Sequence, residues 1–252
     1  MQGTQGTRAA EEEARGTEEA RGAEETGEVE GTQGSQLPYG AALFDLDGTL
    51  VDTEPRSRSA WVKLFAAHGV PVEAATLAAF AGRPGKEAIA EHAADFPGCT
   101  AEELYAEAKG YSEHPDLPPV APVPGAVALL HRLREASVPL AVVTSGTRDY
   151  AHGELSTLGV LGLFDTVITA DDVTRGKPHP EGYLAACAAL GTEPERAVVF
   201  EDAPAGIEAA KSAGAYCVAV TVTQPAATLT AAGADLVVPD LTSVHWPVGA
   251  AG

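Results

Sequence analysis

Positive charge is scarce in this 252-residue chain. Lys and Arg number 16 against 36 Asp and Glu, a formal net charge of −20. Residues 1–36 hold nine Glu and three Arg, which leaves −14 on residues 37–252. Such a surface repels nucleic acid and anionic membranes at long range, so neither is expected as a partner. An anionic small substrate stays open if its site supplies positive charge. Cysteine is scarce too. Cys99, Cys187 and Cys217 are odd in number and lack metal-ligand spacing, so a reducing, cytoplasmic setting is expected. No run reaches 18 apolar residues, which argues against a membrane-spanning helix. The start, MQGTQGTRAAEEEARG, has no basic stretch leading into an apolar one, so no secretory signal is expected.

Apolar residues are nearly missing from residues 1–36, where EEEARGTEEARGAEETGE forms near-repeats. An acidic, disordered tail is expected there. From Ala41 the composition changes. Short apolar runs, AALFD, PLAVVTS, TVITA, RAVVFED, AYCVAVTV and ADLVVPD, alternate with helix-period segments. In PGAVALLHRLREAS, residues Ala126, Leu129, Leu130 and Leu133 recur at helical spacing. PEGYLAACAALG and PAGIEAAKSAG open with Pro and close at Gly, as helix ends prefer. Nearly continuous apolar strands separated by helices predict an α/β fold, a parallel sheet covered on both faces. Ligands in such sheets bind beyond the C-terminal strand ends. The stretch from Thr53 to Pro124 is far too long for a simple crossover. Its segments RSAWVKLFAAHG, ATLAAFAG, GKEAIAEHAADF and AEELYAEAKGY predict an inserted helical unit, and PDLPPVAPVPG leads back from it.

Chemistry concentrates at the predicted strand ends. The first strand runs into Asp45 and Asp47, which would share one side if the extended backbone persists, with Leu46 pointing away. The second ends in Thr144, Ser145 and Gly146, the third leads to Lys177, and the fourth ends in Glu201 and Asp202. Clustered carboxylates at a buried edge need a cation, and Mg²⁺ suits carboxylate oxygens together with a substrate phosphate oxygen. One carboxylate could then attack phosphorus and a second could handle the leaving group's proton. Lys177 and the backbone around Thr144–Gly146 could hold the non-bridging oxygens.

The ordered motifs DLDGT (45–49), VVTSG (142–146), GKPHP (176–180) and FEDAPAG (200–206) resemble the four motifs of the haloacid dehalogenase superfamily. The inserted helices resemble its α-helical cap type. TSGTRDYA, ITADDVTRGKPHPEGYL and VVFEDAPAG look most like its small sugar- and polyol-phosphate phosphatases, glycerol-phosphate and 2-deoxyglucose-6-phosphate enzymes among them. The resemblance implies a Rossmann-like catalytic core over residues 37–53 and 123–245, a helical cap over 54–122 and a C-terminal tail over 246–252. It implies Asp45 as nucleophile and Asp47 as general acid/base. It implies Mg²⁺ held by Asp45, the Asp47 carbonyl and Asp202, with Glu201 as a ligand or a supporting group. It further implies Thr144 and Ser145 on the phosphoryl group, and Lys177 bridging that group and Asp45. FAGRPGKEAIAEH resembles the cap's specificity loop and puts forward Arg83 and Lys86 as substrate contacts.

The leading expectation is a Mg²⁺-dependent monoesterase for small sugar or polyol phosphates, monomeric, working through an aspartyl-phosphate. A phosphomutase of the β-phosphoglucomutase kind is the alternative. Such mutases usually carry a histidine about ten residues after the second aspartate, where this chain has Ser57 and no histidine between Glu54 and Trp61. A regulatory or scaffold protein on a retained phosphatase fold is the alternative of a different class. It predicts loss of Asp45, Asp47, Lys177 or Asp202, and all four are present.

Overall fold

Six parallel strands make the central sheet, in the order β5-β4-β1-β6-β7-β8. They are β1 (Ala41–Phe44), β4 (Leu140–Val143), β5 (Thr166–Ile168), β6 (Ala197–Glu201), β7 (Tyr216–Val220) and β8 (Leu236–Val238). The chain is described by a computed structural model over residues 39–80, 85–112, 116–118 and 120–248. The tail expected over 1–36 lies outside the described residues, as do Arg83 and residues 249–252. Among the described residues, no helix is long and apolar enough to cross a membrane.

Alternation along the strands builds two cores. Ala42 and Phe44 join Leu140, Val142, Val198, Phe200, Val218 and Val220 on one face. There they pack on α5 (Ala126–Glu135) through Leu129, Leu130 and Leu133, and on α6 (Arg148–Thr157) through Ala151 and Leu155. Phe44 stacks on Phe200 with centroids 4.5 Å apart. Ala41 and Leu43 join Ala141, Val143, Val199, Cys217 and Ala219 on the other face. These meet α7 (Glu181–Leu190), α8 (Pro204–Ala213) and α9 (Ala226–Ala231). Each buried Val, Leu or Phe side chain contributes roughly 1.5–3 kcal/mol, so the pattern locks the register. All four β1 residues are fully buried. That is why β1 reads as a continuous apolar run.

The long insertion leaves and re-enters through a feature absent from the sequence-based expectations. Val51–Asp52 (β2) pairs antiparallel with Ala121–Pro122 (β3), a two-stranded ribbon at its base. Between them lie α1 (Glu54–Ala67), α2 (Ala74–Phe80), α3 (Gly85–Ala90) and α4 (Ala101–Ser112). They share a third apolar cluster, with Leu64, Phe65, Phe80, Ile89, Phe96 and Leu104 at its centre. The segment GKEAIAEHAADF is not one helix, as its pattern predicted. α3 stops at Ala90 and a 3₁₀ turn covers Ala93–Asp95. Pro97 and Gly98 follow at once, and Phe96 is drawn inward onto Phe65, with centroids 5.0 Å apart.

Candidate active site

β1 is the point at which strand order reverses, with β4 on one side and β6 on the other. Its C-terminal end therefore opens into a crevice flanked by the ends of both neighbours. Six polar residues are buried among the described residues: Asp45, Thr49, Thr144, Thr169, Glu201 and Asp202. All but Thr169 gather at this crevice.

Lys177 ties two of the strand ends together. Its Nζ donates to Asp45 Oδ1 at 2.5 Å and to Glu201 Oε1 at 2.5 Å. Asp45, Glu201 and Asp202 each offer a carboxylate oxygen within 4.8 Å of the other two. That grouping of buried carboxylate oxygens could hold a metal ion. The turn after β1 is shaped by Asp202. Gly48 has φ +83°, and a Cβ there would lie 2.1 Å from Asp202 Oδ2. Gly206 is equally constrained, because a Cβ on it would lie 1.8 Å from Glu201 Oε1. These two glycines let the DLDGT turn and the first turn of α8 close on the carboxylates.

Glu201 is fully engaged. Its Oε1 also accepts from the Tyr183 hydroxyl at 2.6 Å, and its Oε2 accepts from the backbone N–H of Asp202 and Ala203 at 3.1 and 3.4 Å. Asp202 accepts from the Thr223 hydroxyl and, at 3.5 Å, from that of Thr49. Asp47 faces the same crevice and accepts from the Tyr150 hydroxyl at 2.5 Å. Leu46 turns the other way into the core, as alternation requires. Thr144 is buried, its hydroxyl accepting from the Gly146 N–H at 3.0 Å, and Ser145 lines the crevice beside it. Lys86 is not among the residues lining the crevice. It pairs with Glu102 at the exposed surface of the inserted helices.

Burial dominates the electrostatics. It pushes the Asp45 carboxyl well above the usual range, against the opposing pull of Lys177. Asp202 is pushed up to about 7, by burial first and then by the Glu201 charge. Asp47 is raised by burial and held back by the Tyr150 hydrogen bond. Burial alone would lower Lys177, but the adjoining carboxylates of Asp45 and Glu201 more than offset it, so the ammonium stays charged. One fixed ammonium thus faces four acidic groups. The surplus acidity calls for a divalent cation.

Sequence reasoning missed Tyr150, Tyr183 and Thr223. Tyr150 had the best signal: it sits five residues past Ser145, one turn into α6, where a side chain can lean back over the strand end. Burial and the Asp47 charge hold its phenol protonated, so it serves Asp47 as donor. In Tyr150→Phe the Asp47 carboxyl, followed by ¹³C NMR titration, is expected to move further up, because the hydrogen bond that holds it back is gone. An unmoved carboxyl would show that the hydroxyl does not hold Asp47.

The profile of the family described as haloacid dehalogenase-like hydrolase matches residues 42–220. Validoxylamine A 7'-phosphate phosphatase of Streptomyces hygroscopicus subsp. limoneus is 56% identical over 83% of this chain and 97% of its own length. Hexitol phosphatase A of Escherichia coli is 37% identical over 80% of this chain and 91% of its own. In three dimensions the chain resembles a β-phosphoglucomutase from Clostridium difficile, with a TM-score of 0.63. The identity is 26%, over 82% of this chain and 94% of that one.

Proposed function

The chain belongs to the haloacid dehalogenase-like hydrolase family, and on that premise we propose that it frees phosphate from sugar or polyol phosphates with Mg²⁺ bound in its acidic crevice. The carrying observation is the Lys177 bridge between Asp45 and Glu201, at the crossing point of the strand order beside Asp202. The scaffold alternative predicts loss of Asp45, Asp47, Lys177 or Asp202, and the chain retains all four.

We assign the ion to Asp45 and Asp202, with the Asp47 carbonyl as a third donor. Glu201 supports them, because each of its oxygens already accepts two hydrogen bonds. When bound, Mg²⁺ supplies positive charge that holds a phosphate oxygen and favours the ionised carboxylates. Asp45 attacks phosphorus, forming an aspartyl-phosphate as the ester P–O bond breaks. Asp47, raised by burial and so able to hold a proton, gives that proton to the departing alkoxide. It then takes a proton from the water that splits the acyl phosphate, which releases inorganic phosphate and restores Asp45. Lys177, the Thr144 hydroxyl and the Ser145 N–H hold the non-bridging oxygens throughout. The helices α1–α4 act as the cap over residues 54–122.

The test is phosphate release, with Mg²⁺, from glycerol 1-phosphate, hexitol phosphates, 2-deoxyglucose 6-phosphate, validoxylamine A 7'-phosphate and β-glucose 1-phosphate. Release from sugar or polyol esters is expected. Conversion of β-glucose 1-phosphate to the 6-phosphate without release would install the mutase instead, which Ser57 in place of the mutases' histidine argues against.

Metal binding should also be linked to protons. The metal-free Asp202 carboxyl sits at about 7 rather than the ordinary 3.8, so below about pH 7 a proton competes with the ion. The rise in Tm on adding Mg²⁺ is therefore expected to grow between about pH 5 and about pH 8. A rise that shrinks over that interval would contradict the assignment of Asp202 as ligand.

A further inference from the structure

The space above the catalytic groups is much larger than a phosphate requires. The crevice, which is open to solvent, has a volume of about 810 Å³. An adjoining space of about 580 Å³ shares Asp47, Ser57, Tyr105, Lys109, Ser112 and Ser145 with it. A triose or single hexose fills only a fraction of this. Pockets of roughly 300–1,000 Å³ are those that bury drug-sized ligands.

The lining has two characters. Trp61, Phe80 and Tyr105 form an aromatic side on the inserted helices. Trp61 meets Phe80 edge-on at 4.9 Å, and both are anchored in the cluster beneath. Tyr105 instead stands 38% exposed, a large aromatic face left open. The chain keeps this wall flush with a glycine. A Cβ on Gly85 would lie 2.8 Å from the Tyr105 ring and 3.0 Å from that of Trp61, so any side chain there would displace the aromatics. Polar groups share the lining, Lys109 one turn after Tyr105 on α4 and Glu208 on α8. Lys109 and Glu208 line the crevice, are exposed, and make no hydrogen bond or ion pair among the described residues. An open aromatic face beside unengaged hydrogen-bonding side chains matches a polyhydroxylated ring, whose C–H face stacks while its hydroxyls bond outward.

Building on the phosphatase assignment, we propose that the substrate is the phosphate monoester of a polyhydroxylated compound of at least two rings. The ring distal to the phosphate lies on Tyr105 and reaches Lys109. Tyr105 is then a specificity determinant for the leaving group, with no part in the phosphoryl chemistry.

The test compares kcat/KM, with Mg²⁺, for p-nitrophenyl phosphate, glycerol 1-phosphate, glucose 6-phosphate, trehalose 6-phosphate and validoxylamine A 7'-phosphate. At least one two-ring ester is expected to exceed both smaller natural esters by about tenfold or more. Tyr105→Ala, partly exposed and outside the buried cluster, is expected to lower kcat/KM for that ester about tenfold more than for glycerol 1-phosphate. Equal or better use of the smaller esters by the unmodified protein would overturn the two-ring inference and leave the phosphatase assignment standing. A preference for two rings that Tyr105→Ala leaves untouched would overturn the role given to Tyr105. Failure to release phosphate from any ester, p-nitrophenyl phosphate included, would overturn both proposals.

Discussion

Asp45→Asn is expected to reduce phosphate release from every ester to background, a loss of roughly 10⁵-fold or more, as for other enzymes stripped of their nucleophile. The amide cannot form the acyl phosphate. It also takes a charge from the Lys177 bridge and an anionic oxygen from the metal set. The fold should tolerate it, because asparagine has the same shape and its carbonyl can still accept from Lys177. Asp47→Asn provides the contrast. It keeps the nucleophile, so p-nitrophenyl phosphate should still load the enzyme, while hydrolysis of the loaded form slows by about 10²–10⁴-fold. A burst of p-nitrophenol followed by near-arrest would show this. Substantial turnover by pure, folded Asp45→Asn protein would remove Asp45 as nucleophile.

The second large effect belongs to Lys177, and it reaches stability as well as rate. The ammonium is nearly buried between two carboxylates. Removing one partner of a buried ion pair strands the remaining charge, at a cost of about 3–5 kcal/mol. Lys177→Met retains the unbranched stem against Tyr183, whose ring centroid lies 5.3 Å from Nζ, and deletes only the charge. In the absence of metal, urea denaturation near neutral pH should show a loss of that order. The loss should be smaller in mild acid, where Asp45, whose carboxyl burial pushes up, escapes repulsion by taking up a proton. Mg²⁺ should restore part of it. kcat is expected to fall by about 10²–10³-fold even with saturating Mg²⁺, because a preorganised donor to the transferring group is gone. A variant as stable as the parent across that pH range would mean that water, and not Lys177, compensates the carboxylates.

The parallel sheet was legible because β1, β4, β6 and β7 are apolar on both faces and end in chemically distinctive residues. The strand ends Asp45, Thr144 and Glu201 lie together because their strands are neighbours. The ribbon of β2 and β3 was not legible. It is two residues long on each side and contains Pro122, which no propensity would place in a strand. Tyr150, Tyr183 and Thr223 were hidden for another reason. Each reaches the crevice from a helix or loop whose local pattern explains its presence without the site, and only tertiary packing aims its hydroxyl at a carboxylate. Lys86 shows the converse. Its loop looked suited to phosphate, yet the lysine turns outward to Glu102.

The three apolar clusters have no residue in common. The helices that line the upper crevice rest on their own small core and join the sheet at a ribbon of two residue pairs. A substitution that enlarges or reshapes that lining is absorbed locally and does not propagate to the packing beneath Asp45. Descendants of one ancestral sequence could therefore exchange one leaving group for another by drift in the insert, while the chemistry below is inherited unchanged.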